Sequence, residues 1–279
     1  MPVVAIGSVR SCGATTAGVA LAAAWPAADQ RRLVVEADPA GGTIGALSGW
    51  PTEPSLVTLA AAARRGGTPN LVWDHCHQLG SRVAVVAGPA TAEQSRTALS
   101  ITKDLLTRLG DLDALVVIDC GRLDPTSPAL DVWAGADWPL LTVRCHLADL
   151  HSTAAWLQAP FATLPAGLVV IGDGAYPDTE IAEALGVDVA ARLPWDPGGT
   201  NAMVTYWASG RAWRLSPLAR AAHSLGERLS AQPLKRTADR EASQPAPREP
   251  DDSIPARPGR AETVAEVAGN GPGRGMAPR

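Results

Sequence analysis

The sequence predicts an α/β protein built on a mainly parallel, doubly wound sheet with helices on both faces. Three observations carry this. Apolar runs of strand length, over residues 3–7, 33–37 and 114–119, are too continuous to leave one face wet. They alternate with stretches of helical period. The first, second and central runs lead into a glycine-bearing loop, an E-A-D-P turn and Asp119, at the sheet edge where such folds bind ligands.

In order, residues 3–7 read as a short buried strand and 15–24 as an alanine-rich helix stopped by Pro26. Residues 33–37 form a second strand, halted at Pro39 and followed by Gly41 and Gly42. Over 55–65, Leu56, Leu59, Ala60 and Ala63 share a helical face that Gly66 and Gly67 close, with Arg64 and Arg65 in the last turn, where cations suit the helix dipole. Residues 83–87 give a third strand. Thr91 and Gln94 then form a T-x-x-Q capping box for a helix whose Ala98, Ile101, Leu105 and Leu109 share a face and whose stop is Gly110. A-L-V-V-I-D, over 114–119, is the clearest central strand. Strands at 140–143, 168–171 and 191–193 follow, with helical stretches at 146–157 and 178–185 between them. Residues 217–229 carry Leu218, Ala222, Leu225 and Leu229 along one stripe and close the domain. Beyond about residue 231 the chain turns rich in Pro, Gly, Arg and acids, with few large apolar side chains to offset its ordering entropy. The expected organisation is one domain over 1–231 and a disordered tail over 232–279.

The stretch S-V-R-S-C-G-A-T-T, over 8–16, sits between the first strand and the first helix, where a phosphate-binding loop belongs. The working form is G-x-x-x-x-G-K-[ST]: backbone N–H groups and a helix N-terminus cradle phosphates, the lysine reaches the outer ones, and the hydroxyl holds Mg2+. Anchoring on Gly13 and Thr15 places Ser8 at the first glycine and Ala14 at the lysine. The chain's two lysines, Lys103 and Lys235, are remote in sequence, and Arg10 is the only cation inside the loop. Asp38 and Asp119, at strand ends, can hold Mg2+ or orient an attacking water, and Thr15 can offer its hydroxyl to the same ion. Capping of a following turn is their plain structural alternative.

With 46% hydrophobic residues and a net charge of -4, the 279-residue chain has the composition of a globular protein. That charge supplies no global attraction to nucleic acid, so DNA would require a local patch. No apolar run has the length of a transmembrane segment and the N-terminus lacks a signal-peptide pattern, so a cytoplasmic location is expected. Cys12, Cys76, Cys120 and Cys145 are scattered without C-x-x-C spacing, and reduced thiols are expected. His75, Cys76 and His77, with Cys145, His146 and His151, are metal-capable but show no zinc spacing. Trp195, after Pro194, is placed to cover a base or a partner surface.

The runs V-V-A-I-G-S-V-R-S-C-G-A-T-T, R-L-V-V-E-A-D-P-A-G-G-T-I-G-A-L, A-L-V-V-I-D-C and A-R-L-P-W-D together resemble the ParA/MinD group of P-loop ATPases, in the order and spacing of nearly all of residues 1–230. The similarity is greatest to a divergent actinobacterial branch that has also lost the loop lysines. It implies a P-loop NTPase fold, ATP and Mg2+ as cofactors, and a switch between monomer and nucleotide-sandwich homodimer that places DNA, division proteins, pili or other machinery. It also implies that the loop residues Ser8, Arg10, Ser11, Cys12, Gly13, Ala14, Thr15 and Thr16 bind nucleotide, with Gly13 and Thr16 on phosphate. Thr15 would bind Mg2+, Asp38 and Asp119 would be the two switch carboxylates, catalytic if the site is active, and Pro194 would lie near the base. The family's two lysines fall on Val9 and Ala14, and its adenine-reading asparagine is replaced by G-D-G at Gly172, Asp173 and Gly174. Losing a phosphate lysine weakens binding by roughly one to two decades, from a charged hydrogen bond of about 1.5 to 3 kcal/mol. Hydrolysis loses more, because transition-state charge goes unstabilised.

The expected function is thus an organiser or regulator of a cytoplasmic assembly, in partitioning, positioning or pilus/secretion machinery, with a degenerate site, a protein partner, and weak or no hydrolysis. Two alternatives stand beside it: an ATPase cycling between monomer and dimer, with Arg10 or a partner residue replacing the lysine, and a DNA-associated partitioning factor.

Overall fold

Side chains of alternating strand positions point to opposite faces of a sheet, and each central strand here is apolar on both, so both faces must be covered. A computed structural model describes residues 2–80, 82–160, 162–206 and 210–232 and shows this arrangement. Eight strands, β1 (Val3–Ser8), β2 (Arg32–Glu36), β3 (His77–Leu79), β4 (Val83–Val86), β5 (Leu115–Arg122), β6 (Trp138–Arg144), β7 (Gly167–Ile171) and β8 (Val189–Leu193), form one sheet in the order β3-β4-β2-β5-β1-β6-β7-β8. Every pairing is parallel except that of β3 with β4.

Among the described residues ten α-helices accompany the strands: α1 (Ala14–Ala24), α2 (Ile44–Ser48), α3 (Leu56–Ala63), α4 (Ala92–Leu106), α5 (Leu130–Ala134), α6 (Leu147–Leu157), α7 (Asp178–Leu185), α8 (Pro197–Tyr206), α9 (Arg211–Arg214) and α10 (Pro217–Ala231). Val3 and Ala5 of β1 join a core with Leu56 of α3, Leu99 of α4, Trp133 of α5 and Trp156 of α6. Val4 and Ile6 point the other way, into a core with Leu21 of α1, Met203 of α8 and Leu225 of α10. Two indoles organise the first core: Trp133 Nε1 donates to the Leu140 carbonyl at 2.9 Å, and its ring meets Trp156 edge-on at 5.7 Å.

The fold class and all seven expected strands are present. The helix expected to run to Gly110 ends at Leu106, and Leu109 is buried instead from a following 3-10 turn. Thr91 caps α4 by accepting from Gln94 N, which is one of the two bonds of the expected capping box. The strand β3 and the helices α2, α5, α8 and α9 were not legible from period. The tail expected over 232–279 lies, Gln232 apart, outside the described residues. Among the described residues, no helix is long and apolar enough to cross a membrane.

Candidate functional site

The loop from Ser8 to Gly13 is shaped by what flanks it. Ser8 is buried and its hydroxyl donates to the Gly121 carbonyl at 3.3 Å, which ties the loop's start to β5. Ser11 and Gly13 both have positive φ, 49° and 84°. At Gly13 this backbone is natural, and it serves as the N-cap of α1 without any side chain capping the helix. The first turn of an eleven-residue helix thus keeps its orphan N–H groups for an acceptor from outside, the requirement for a phosphate cradle. Space is open around Gly13, where an added Cβ would meet nothing within 4 Å.

The cation of this loop is directed elsewhere. Arg10 Nε lies 3.7 Å from Asp149 Oδ1 and Nη1 donates to Ser152 Oγ at 3.2 Å, both on α6. Asp149 also holds Arg144 Nε at 2.8 Å, so one buried carboxylate serves two arginines. Cys12 is buried beside them, and desolvation raises its thiol pKa, which makes it a packing residue. Lys103 is paired at 3.8 Å with Asp131 on the exposed side of α4.

The acidic half of the site is assembled by β2 and β5. Glu36 is buried and accepts from Thr43 N at 2.6 Å, Ile44 N at 3.0 Å and Gly88 N at 2.9 Å. It thereby folds the segment after β2 against the end of β4, and Gly42 packs so closely on its carboxylate that a Cβ would collide. Asp38 accepts from Ala40 N at 2.7 Å and lies directly against Gly121, where again no Cβ would fit. Asp119 is fully buried, with Oδ1 taking Gly121 N at 3.0 Å. Its Oδ2 is buried without a hydrogen-bond partner among the described residues. The Thr15 hydroxyl faces this carboxylate and lowers its pKa, but does not reach hydrogen-bonding geometry with Oδ2. Burial dominates, helped by the charges of Glu36 and Asp38, and pushes Asp119 up to about 7. Burial also raises Glu36 and Asp38.

These groups suit Mg2+. An orphaned carboxylate oxygen, a second carboxylate and a hydroxyl are hard oxygen donors, and Mg2+ is commonly bound by one or two carboxylates, waters and substrate phosphates. They make no cage by themselves: among the described residues no three His, Cys, Asp or Glu side chains are grouped to hold a metal. The scattered His and Cys residues do not assemble either. His75 Nδ1 is 2.8 Å from Thr58 Oγ1, His77 stacks on Trp50 at 4.7 Å, and Cys145 Sγ reaches the Tyr176 carbonyl.

On the other side of α1 a cavity of about 460 Å3 opens between the ends of β7 and β8 and the start of α8. Gly13 and Thr16 form its inner wall, and Leu47, Pro194, Trp195 and Asn201 line the rest. Trp195 is 73% exposed, a large apolar surface at the mouth of a cavity. Asp196 fixes this wall, its Oδ1 accepting from Gly199 N at 2.8 Å and its Oδ2 from Leu218 N at 3.1 Å. Thus Gly13, Thr16 and Pro194 share one cavity, Thr15, Asp38 and Asp119 gather beside it, Ser8 and Cys12 are buried under the loop, and Arg10 turns to α6. The sequence reading missed Glu36, Leu47 and Asn201.

No family model and no curated protein sequence matches the chain. Solved structures do. A ParA family ATPase from Chlorobium tepidum TLS superposes with a TM-score of 0.66 at 15% identity, over 81% of this chain and 98% of that one. The septum site-determining protein MinD from Pyrococcus horikoshii OT3, complexed with Mg-ADP, gives 0.65 at 17% identity, over 82% and 96%. An ATP complex of a McdA variant from Cyanothece gives 0.58 at 14%, over 85% and 99%. The chain therefore has the ParA/MinD-like P-loop ATPase fold.

Proposed function

We propose that this chain is a ParA/MinD-like organiser or regulator of a larger assembly, in partitioning, positioning or pilus/secretion machinery, whose output is a contact with a protein partner and whose nucleotide site is degenerate. One observation carries this reading: the uncapped start of α1 at Gly13 opens into the Pro194–Trp195 cavity beside the orphaned Asp119 Oδ2, while the loop's only cation is tied to Asp149. Similarity in fold to proteins solved with Mg-ADP and with ATP supports nucleotide as the ligand.

In this reading the backbone from Ser8 to Thr16 and the first turn of α1 bind the phosphates, with Thr16 adding its hydroxyl. Pro194 and Trp195 hold the base through apolar contact. G-D-G at 172–174 offers no amide side chain to read it. Thr15, Asp38 and Asp119 would hold Mg2+, which supplies charge neutralisation to the phosphates when bound. Asp38 and Asp119 are the carboxylates that would orient the attacking water. With Val9 and Ala14 at the lysine positions, the chain lacks the point charges that stabilise phosphoryl transfer, and hydrolysis falls by several decades.

Calorimetric titration of Mg-ATP and Mg-ADP into the purified chain tests this. Micromolar to millimolar binding without steady phosphate release is expected. No heat at millimolar nucleotide with the fold intact would refute nucleotide control and leave a protein-interaction scaffold. The side-by-side retention of Asp38 and Asp119 favours a second reading, an active ATPase whose missing charge comes from Arg10 or a partner. Steady phosphate release that vanishes in Asp38→Ala would establish that reading instead.

A further inference from the structure

The far end of α1 borders a second cavity, of about 570 Å3, between that helix end, the starts of β2 and β4, and α10. Because α1 runs from the phosphate loop to Trp25, this cavity lies at the opposite end of the helix from the site above. Arg32, Arg82, Arg214, Arg220 and His223 line it together with Trp25, and among the described residues no Asp or Glu does. Glu227 approaches from the outer turn of α10, 3.6 Å from His223 Nε2.

Arg32 is 4% exposed. Its terminal nitrogens donate to the carbonyls of Ala22, Ala23, Trp25 and Ala27, so it closes the end of α1 and cancels the negative pole that would repel an anion there. Helix closure explains those bonds. It does not explain the buried Nε, which has no partner among the described residues, where no carboxylate is paired with this guanidinium either. Burial lowers the Arg32 pKa, and the neighbouring charge of Arg82 lowers it further. Arg82 and Arg220 each give one nitrogen to a backbone carbonyl, at Ala28 and Leu215, from guanidinium groups with five donors each.

We propose that this cavity binds a compact polyanion carrying at least two phosphate groups, at a site independent of the phosphate loop. Several arginine forks converging on one concave space match clustered phosphate oxygens, which accept bidentate bonds from guanidinium. The lining favours a small molecule over a nucleic-acid duplex: the arginines gather around one concavity that Trp25, Pro26 and Ala219 also line.

Sodium tripolyphosphate titrated calorimetrically into the full chain, with EDTA present, is the direct test. Arg82→Ala/Arg220→Ala removes two exposed side chains and leaves the Arg32 closure of α1 intact. It should weaken binding by roughly tenfold or more for each arginine. Thr15→Ala/Thr16→Ala, at the other end of α1, should leave tripolyphosphate affinity within about twofold while weakening Mg-ATP. The reverse pattern, with the loop variant losing tripolyphosphate and the arginine variant keeping it, would overturn the proposal. So would a short DNA duplex that displaces tripolyphosphate at lower concentration and is itself lost in the arginine variant, because the cavity would then be part of a nucleic-acid surface.

Discussion

Burial of Asp119 beside Glu36 and Asp38 sets three carboxylates in one another's field, and Oδ2 of Asp119 has no hydrogen-bond donor among the described residues. In the unfolded chain Asp119 titrates near 3.8, and in the fold near 7. Below pH 4 it is protonated in both states and contributes nothing. As pH rises from about 4 to 7 the unfolded chain releases a proton that the fold retains, so stability falls through that window, by a few kcal/mol in all. Glu36 and Asp38, also raised, act in the same direction. Asp119→Asn should therefore raise the urea midpoint at pH 8 by the equivalent of about 2 kcal/mol and change it little at pH 4. Mg2+ should raise the wild-type midpoint at pH 8 and not that of Asp119→Asn. An unaltered midpoint at pH 8 in the variant would show that Oδ2 has a partner in solution.

The turn after β2 depends on one side chain more than on its own sequence. Glu36 accepts the N–H groups of Thr43, Ile44 and Gly88, so Glu36→Ala leaves one buried donor, at Ile44, and two part-buried ones without their acceptor. At about 1 to 3 kcal/mol for each unsatisfied group, the loss should reach about 3 kcal/mol or more in urea unfolding, and Glu36→Gln, which keeps an acceptor oxygen, should lose less. The sequence held a signal for this residue: a glutamate ending an otherwise apolar strand. The strands were legible because each central one is buried on both faces and reads as an unbroken apolar run, as in Leu115 to Ile118. The loop and the two aspartates were legible for a related reason, since each directly follows such a run. The element α8 was hidden because it opens P-G-G-T, poor helix formers stabilised by Asp196 from outside the helix. The strand β3 is three residues long and is fixed by its pairing with β4. The engagement of Arg10 with Asp149 joins residues far apart in sequence, and no local pattern records it.

Across the whole molecule, α1 and α10 connect the two cavities. Gly226 lets α10 approach Trp25 and Pro26 so closely that an added Cβ would press on both side chains. Leu218 of α10 lines the cavity at the phosphate loop, while Arg220 and His223 line the arginine cavity. A sandwich dimer about the loop would need a cation reaching from one copy to the phosphates of the other. Position 9 is valine, and Arg10 is held by Asp149 and Ser152 of its own chain. That pair is 56% exposed on the arginine side and worth about 1 kcal/mol at most, so it can be broken, but nothing in the loop replaces the second lysine at Ala14. Light scattering of the full chain should therefore give the monomer mass with and without saturating Mg-ATP. If the mass doubles with Mg-ATP and returns to the monomer value in Arg10→Ala, Arg10 leaves Asp149 to act across the interface, and the monomer–dimer ATPase reading gains over the regulator. A doubling that survives Arg10→Ala would place the dimer contact elsewhere, with the exposed Leu47 and Trp195 at the cavity mouth the first surface to alter.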